Sequence, residues 1–145
     1  MTGEGDADAR DYVLEGFAVP DQLDAVHELL AEAAADHPEL DSTDVMLFET
    51  AVIEIANNVV EYGKPEGEVR WKFTVRVRED EIEAELDDTG QSFAPARGKG
   101  MPGEEAEGGR GLPLAEALLD QIDFDRVDET NHWRMVRRLG QAPAL

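Results

Sequence analysis

One segment, residues 42–62, limits what this chain can fold into more than any other. Its apolar side chains recur at helical spacing, so one side of a helix there is predicted to be buried. That stripe consists of Val45, Phe48, Val52, Ile55 and Val59. Another face carries Glu54 and Asn58, one turn apart, a pair able to hold a hard cation or to accept a proton. Such a pair is also typical of a solvated helix face, so it decides nothing alone.

The composition indicates one globular domain. With 145 residues, 41% of them hydrophobic, the chain is long enough for a single core. The absence of cysteine excludes disulfides, thiolate metal sites and thiol redox chemistry. No apolar run approaches the roughly 20 residues that span a bilayer, and the N-terminus lacks the apolar core of a signal peptide. We therefore expect a cytoplasmic protein.

The charge restricts the partners. Thirty-four acidic residues against 13 basic ones give a formal charge of -21. This negative potential disfavours direct binding to nucleic acid or to a membrane, and so argues against a DNA-binding regulator. It suits a basic protein partner, and it is equally typical of a protein that stays soluble at high ionic strength.

Apolar periodicity predicts one domain over residues 11–139, between a polar tail at 1–10 and a frayed C-terminus at 140–145. Ser42 is placed to cap the central helix, and Gly63 to end it in a left-handed conformation. The predicted strands cover 12–19, 69–78, 82–86, 122–127 and 132–139, and the predicted helices cover 21–35, 43–62 after the cap Ser42, and 114–121.

A loop over residues 94–111 is rich in glycine and proline and has no periodicity. A structureless stretch of this length in a compact domain is usually a binding loop or lid, although a disordered insertion has the same composition. It ends in Gly109-Arg110-Gly111, directly before a predicted helix. That helix is expected to turn Leu114 and Leu118 inward, with Ala115 and Leu119 as further candidates. Glycines at a helix start let the backbone NH groups approach a phosphate closely.

Three features occur in a specific order: Glu54-x-x-x-Asn58 on a helix, Asp88-x-Gly90 after a strand, and Gly109-Arg-Gly111 opening a later helix. This order resembles the GHKL ATPase superfamily. The resemblance implies an α/β sandwich, with one mixed, largely antiparallel sheet covered by helices. It covers about residues 11–139, and the small size and the ending Asn131-His-Trp-Arg-Met-Val look closest to the anti-sigma-factor serine/threonine kinases.

The resemblance assigns roles to the central helix. It implies that Asn58 holds the Mg²⁺ that bridges the phosphates of ATP, and that Glu54 is the catalytic base that activates a seryl hydroxyl or a water. Asn57 beside Asn58 leaves a one-residue ambiguity, which the four-residue spacing from Glu54 resolves. Glu61 stands where many relatives carry a basic or imidazole residue, and an extra carboxylate there weakens nucleotide binding unless it faces away or meets the metal.

The other two motifs would hold the rest of the nucleotide. Asp88 is implied to accept a hydrogen bond from the adenine amino group, and Gly90 to leave room for the ring. Gly109, Arg110 and Gly111 are implied to close over the phosphates. Ser92 occupies the position of the family's second glycine after Asp88, a departure from the simple pattern that the kinase branch tolerates.

The function implied by the resemblance is that of an anti-sigma factor and serine/threonine protein kinase. It would bind ATP and Mg²⁺, phosphorylate a STAS-type anti-sigma-factor antagonist in a partner switch, hold or release a sigma factor, and form a homodimer. Two alternatives stay open. One is a catalytically silent, nucleotide-sensing binding module, and the other is a switch kinase that activates a phosphatase.

Overall fold

The computed structural model describes residues 11–63, 67–91 and 108–139, and for residues 108–112 it describes the backbone alone. The predicted tail at 1–10, the C-terminus at 140–145 and most of the predicted lid therefore lie outside the described residues.

A five-stranded antiparallel sheet forms one layer, with strand order β1-β2-β3-β5-β4. All four pairings are antiparallel, where the prediction allowed a mixed sheet. The sheet and its helices confirm the predicted α/β sandwich. The strands are β1 (Asp11–Phe17), β2 (Arg70–Val77), β3 (Glu81–Asp88), β4 (Gln121–Val127) and β5 (Thr130–Arg138).

Within the described residues, three helices form the second layer: two contact one face of the sheet, and the last packs against the central helix. They are α1 (Leu23–Asp36), preceded by a 3-10 turn (Pro20–Gln22), α2 (Ser42–Tyr62) and α3 (Gly108–Leu118). Within the described ranges, no helix combines the length and the apolar character needed to cross a bilayer.

The core lies between α2 and the middle strands, as the periodicities predict. In α2 the buried stripe comprises Phe48, Val52, Ile55 and Val59, with Val45 partly buried. In β2 every second residue faces the helices and is buried: Trp71, Phe73, Val75 and Val77. A strand that alternates in this way buries one face, and the other face of β2 carries polar side chains: Arg70, Lys72, Thr74 and Arg76.

Both ends of α2 differ from the prediction. The N-cap is Asp41, not Ser42: its Oδ1 accepts hydrogen bonds from the backbone N–H of Thr43 (2.7 Å) and of Asp44 (3.4 Å). At the other end Gly63 is extended (φ -70°, ψ 132°) and not left-handed. Glycine is required there for another reason, because a Cβ atom would lie 2.6 Å from the carbonyl oxygen of Val59.

The last helix also begins and ends earlier than predicted. Residues 114–121 were expected to be helical, whereas α3 runs from Gly108 to Leu118 and so includes the glycines that made its first turn look like loop. It ends because the N–H of Asp120 donates to the oxygen of Val136 (2.8 Å), which starts the pairing of β4 with β5. Leu114, predicted to face inward, is 41% exposed, whereas Leu118 is partly buried and the further candidates Ala115 and Leu119 are buried.

Candidate functional site

The Asp88-x-Gly90 motif packs against the end of the central helix. Gly90 lies so close to it that an added Cβ would be 3.3 Å from Cα of Gly63, the residue that follows α2. The side chain of Gln91 donates to the backbone oxygen of Tyr62 (2.7 Å), the last residue of α2. The Asp88-x-Gly90 motif therefore lies against the C-terminal end of the helix that carries Glu54 and Asn58. The close packing explains why position 90 is glycine, whereas its role beside a nucleotide ring stays a prediction.

The side chain of Asp88 is completely buried at this meeting point. Its Oδ1 accepts two hydrogen bonds, from the backbone N–H of Gly90 (2.9 Å) and from Nδ2 of Asn131 (2.9 Å). Its Oδ2 is also buried and makes no hydrogen bond of regular geometry within the described residues, although the Trp133 indole lies near enough to act on the carboxyl group. The carboxyl group is thus fixed through Oδ1, and Oδ2 is left to accept a hydrogen bond from a ligand.

Burial raises the pKa of Asp88, because a charged carboxylate loses its hydration in the protein interior. Donation by Asn131 and by the Gly90 N–H acts in the opposite direction, as do the Trp133 indole and the positive charge of Arg126, but burial prevails. A ligand that donates to Oδ2 would offset this penalty. The residue is therefore poised to accept a hydrogen bond from a bound group.

This free acceptor provides a test of whether the site fits a purine nucleotide. Buried polar atoms in folded proteins nearly always have partners, and leaving one without a partner costs about 1–3 kcal/mol. The exocyclic amine of adenine is a donor of the kind that Oδ2 lacks. Asp88 therefore fits the ligand that the sequence motifs imply.

Two residues of this cluster, Asn131 and Arg126, were not predicted as site residues. Nη1 of Arg126 donates to Oδ1 of Asn131 (2.7 Å) and to the oxygen of Gly90 (2.9 Å), so both side chains support the Asp88 loop. A signal for them exists in the sequence. Both are polar residues at positions where every second residue of the strand is buried or partly buried and apolar. In β5 the series is Asn131, Trp133 and Met135.

On α2, the structure separates the two neighbouring asparagines. Asn58 is 8% exposed, whereas Asn57 is exposed. Glu54 is half-buried and Glu61 is exposed, so the unusual carboxylate at position 61 faces away from the packed side of the helix. In the described part of the chain, no three His, Asp or Glu side chains are grouped as a metal site. A metal held here would therefore depend on a group such as Asn58 together with ligand oxygens.

The third motif is the first turn of α3. Gly109, Arg110 and Gly111 have helical backbones, and α3 packs against α2. The N–H groups of a first helical turn have no partner within the helix, so this turn can donate to an anion. The side chain of Arg110 and the rest of the predicted lid lie outside the described residues. The implied phosphate contacts stay predictions.

The fold and the site together define a class of protein: an α/β sandwich with a buried carboxyl group at the end of a strand, next to the end of a helix that carries a carboxylate and a carboxamide. A family model for the histidine kinase-like ATPase domain matches residues 18–137. The chain belongs to this family, which confirms the superfamily resemblance, and an ATPase domain implies ATP binding. A comparison with curated proteins gave no match.

A comparison with solved structures finds the same fold. The chain is similar to a crystal structure of the RsbU and RsbW domains of Rv1364c from Mycobacterium tuberculosis, with a TM-score of 0.60 and 20% sequence identity. The match covers 88% of this chain but 32% of that one, so the chain spans about a third of its length. This likeness concerns the fold.

Proposed function

We propose that this protein is an ATP-dependent serine/threonine kinase of the anti-sigma-factor type, which phosphorylates an anti-sigma-factor antagonist in a partner switch and binds a sigma factor. The observation that carries the nucleotide part is Oδ2 of Asp88, a buried acceptor that makes no hydrogen bond of regular geometry within the described residues. Family membership and the structural likeness to a protein with an RsbW domain support the kinase part.

In this proposal each motif has one task. Asp88 binds the base and fixes the orientation of the nucleotide, while the first turn of α3 donates backbone N–H groups to the phosphates. Asn58 supplies an oxygen ligand for Mg²⁺, which when bound neutralises phosphate charge during transfer. Glu54, one turn before Asn58, accepts the proton of the attacking seryl hydroxyl. Phosphoryl transfer depends mainly on positioning and charge neutralisation, so few protein groups are needed.

The partners are proposed from the same resemblance. The antagonist is a STAS-type protein that presents a serine, and the working unit is a homodimer in the cytoplasm. The charge of -21 favours encounter with a basic sigma factor, since complementary charge raises association rates. We expect this association rate to fall as salt is added, and a rate insensitive to salt would count against the electrostatic part.

The deciding experiment measures ATP binding and transfer together. Calorimetry with and without Mg²⁺ would compare the wild type with Asn58→Ala and Glu54→Gln, and with Asn57→Ala as the control on the exposed neighbour. We expect Asn58→Ala to lose the Mg²⁺ dependence of ATP binding and Asn57→Ala to keep it. Glu54→Gln should bind ATP within about threefold of wild type, because the amide has the same shape but is no base.

The kinase assay then separates an enzyme from a silent module. Transfer of labelled phosphate to a purified STAS-type antagonist is expected for the wild type, with a loss of at least about 100-fold for Glu54→Gln. If the wild type binds ATP but Glu54→Gln transfers phosphate equally well, Glu54 is not the base. A wild type that binds no ATP would overturn the proposed function.

A further inference from the structure

Behind Asp88, the side chains of Asn131 and Arg126 form a continuous chain of hydrogen bonds. Nδ2 of Asn131 donates to Oδ1 of Asp88 (2.9 Å), to the oxygen of Gln91 (2.8 Å) and, at 3.3 Å, to the oxygen of Gly90. Both hydrogens of the amide nitrogen are therefore used inside the protein. Asn131 is also completely buried, so it has no hydrogen left to offer a ligand.

Arg126 decides which way this amide faces. Its Nη1 donates to Oδ1 of Asn131 (2.7 Å) as well as to the oxygen of Gly90. A guanidinium group has only donors, so the amide atom facing it must be the oxygen, and the amide nitrogen must then face Asp88. The reversed amide would set an oxygen against the carboxylate and an NH₂ group against Arg126.

The consequence is that Asp88 offers one acceptor oxygen and not two. The two lone-pair positions of Oδ1 are taken by Gly90 and Asn131, and Oδ2 remains. A single acceptor matches the single exocyclic amine of adenine. Guanine presents two adjacent donors, N1–H and the 2-amino group, which pair best with both oxygens of a carboxylate, and its O6 replaces the adenine amine with an acceptor.

We propose that Arg126 and Asn131 are positioning residues that make the base site selective for adenine over guanine by keeping Oδ1 of Asp88 occupied. This inference rests on the proposed function, since it requires a nucleotide whose base meets Asp88. Neither residue touches the base. Arg126 orients Asn131, and Asn131 in turn restricts Asp88.

The test compares the affinities of ATP and GTP for the full chain. The variants are Arg126→Met and Asn131→Leu, which are similar in size but lack the hydrogen bonds. The control is Arg138→Ala, which removes an exposed arginine from the strand that carries Asn131. We expect the wild type and the control to bind ATP at least about 100-fold more tightly than GTP.

In Arg126→Met and Asn131→Leu this ratio should fall by about tenfold or more. ATP loses a correctly oriented acceptor, while GTP gains access to the second carboxylate oxygen. A purely structural role would weaken both nucleotides by the same factor and leave the ratio unchanged, which would overturn the inference. If Asn131→Leu does not fold, Arg126→Lys provides the comparison, because lysine keeps the charge but cannot hold two acceptors with the arginine geometry.

The two proposals fail in different ways. A wild type without ATP binding removes both the proposed function and this inference. A wild type that binds ATP selectively, with variants that keep the same selectivity, removes only the inference.

Discussion

At the scale of single residues, Asp88 is held so that substitution by asparagine has a predictable geometry. The N–H of Gly90 and Nδ2 of Asn131 both donate to Oδ1, so an asparagine at 88 would place its own oxygen there. Its NH₂ group would then replace Oδ2 and face the adenine amine, donor against donor. We expect Asp88→Asn to weaken ATP binding by at least about 100-fold.

The same geometry predicts a change of preference. Inosine triphosphate carries an acceptor oxygen where ATP carries its amine, so Asp88→Asn should bind it more tightly than ATP, the reverse of the wild type. Calorimetric titration of both nucleotides measures this. The matched control is Asp87→Asn, one residue earlier on the other face of the sheet, where the carboxylate pairs with His132. Equal losses for both nucleotides in Asp88→Asn would contradict the proposed contact.

The raised pKa of Asp88 adds a prediction on stability. The folded protein favours the protonated carboxyl, so the contribution of Asp88 to stability is complete below its unfolded pKa of about 3.9 and is lost as pH rises through the folded pKa. Asparagine has no such titration. The Tm of Asp88→Asn relative to wild type should therefore be more favourable at pH 7.5 than at pH 4, without nucleotide. A difference that does not depend on pH would contradict this.

The site residues that can be predicted from the sequence are those that lie within short motifs. Glu54, Asn58 and Asp88 could be proposed because their spacings are local, and their roles stay predictions. Asn131 was missed as a site residue because it meets Asp88 across 43 positions of sequence, through the pairing of β5 with β3. Only the register of the sheet brings the two together, and no local pattern encodes it.

At the scale of elements, the start of α2 provides a direct test of the cap. Asp41 accepts from two backbone N–H groups, so Asp41→Ala should destabilise the protein by about 1 kcal/mol. Ser42, the cap expected from sequence, lies inside the helix, and Ser42→Ala should change stability by less than about 0.5 kcal/mol. Urea denaturation measures both. The opposite ranking would show that the helix begins one residue later.

On the outer face of the sheet, β3 carries Glu83, which is 3% exposed. Burial acts to raise its pKa, but hydrogen bonds from Arg78 and Arg134 outweigh burial and lower it. Glu83→Gln should therefore lose about 2 kcal/mol, less than the 3–5 kcal/mol of a fully enclosed pair because both arginines are partly exposed. Glu85→Gln, a less buried neighbour on the same face, should lose under about 0.5 kcal/mol.

The sign of the lowered pKa fixes the pH window for this ion cluster. The stabilisation by Glu83 is present above the unfolded pKa of about 4.3 and is lost as pH falls through the lower folded value. The difference in unfolding free energy between wild type and Glu83→Gln should thus stay constant from pH 8 to pH 6. A difference that shrinks within this range would mean that the arginines do not hold the charged form.

The elements themselves were largely predictable, because long apolar periodicities are the strongest signal in a single sequence. Both α2 and β2 were found for this reason. The helix α3 was placed too late because Gly108 to Gly111 have low helix propensity and no periodicity, so only packing against α2 accounts for their helical backbone. Gly63 was assigned a left-handed conformation from its type alone, whereas its close approach to Val59 is a tertiary effect.

At the scale of the whole molecule, charge is distributed unevenly between the two layers. Helices α1 and α2 carry four acidic residues each and neither lysine nor arginine. Five basic side chains instead alternate onto the outer face of the sheet, namely Arg70, Lys72, Arg76, Arg134 and Arg138. Helices α1 and α2 therefore have no lysine or arginine of their own to balance their charge. Their self-repulsion weakens as salt screens it.

This imbalance predicts that one added cation on α1 stabilises the protein at low salt. Glu28 is exposed, and a lysine there would lie one turn from both Asp24 and Glu32. Each such pair is worth about 0.2–0.5 kcal/mol, so Glu28→Lys should raise Tm by about 2 °C at low ionic strength. Glu28→Gln removes repulsion without adding attraction, so its Tm should lie between those of the wild type and Glu28→Lys. Because salt screens exposed charges, both gains should nearly vanish in 1 M NaCl, and a gain that persists there would assign the effect to helix packing.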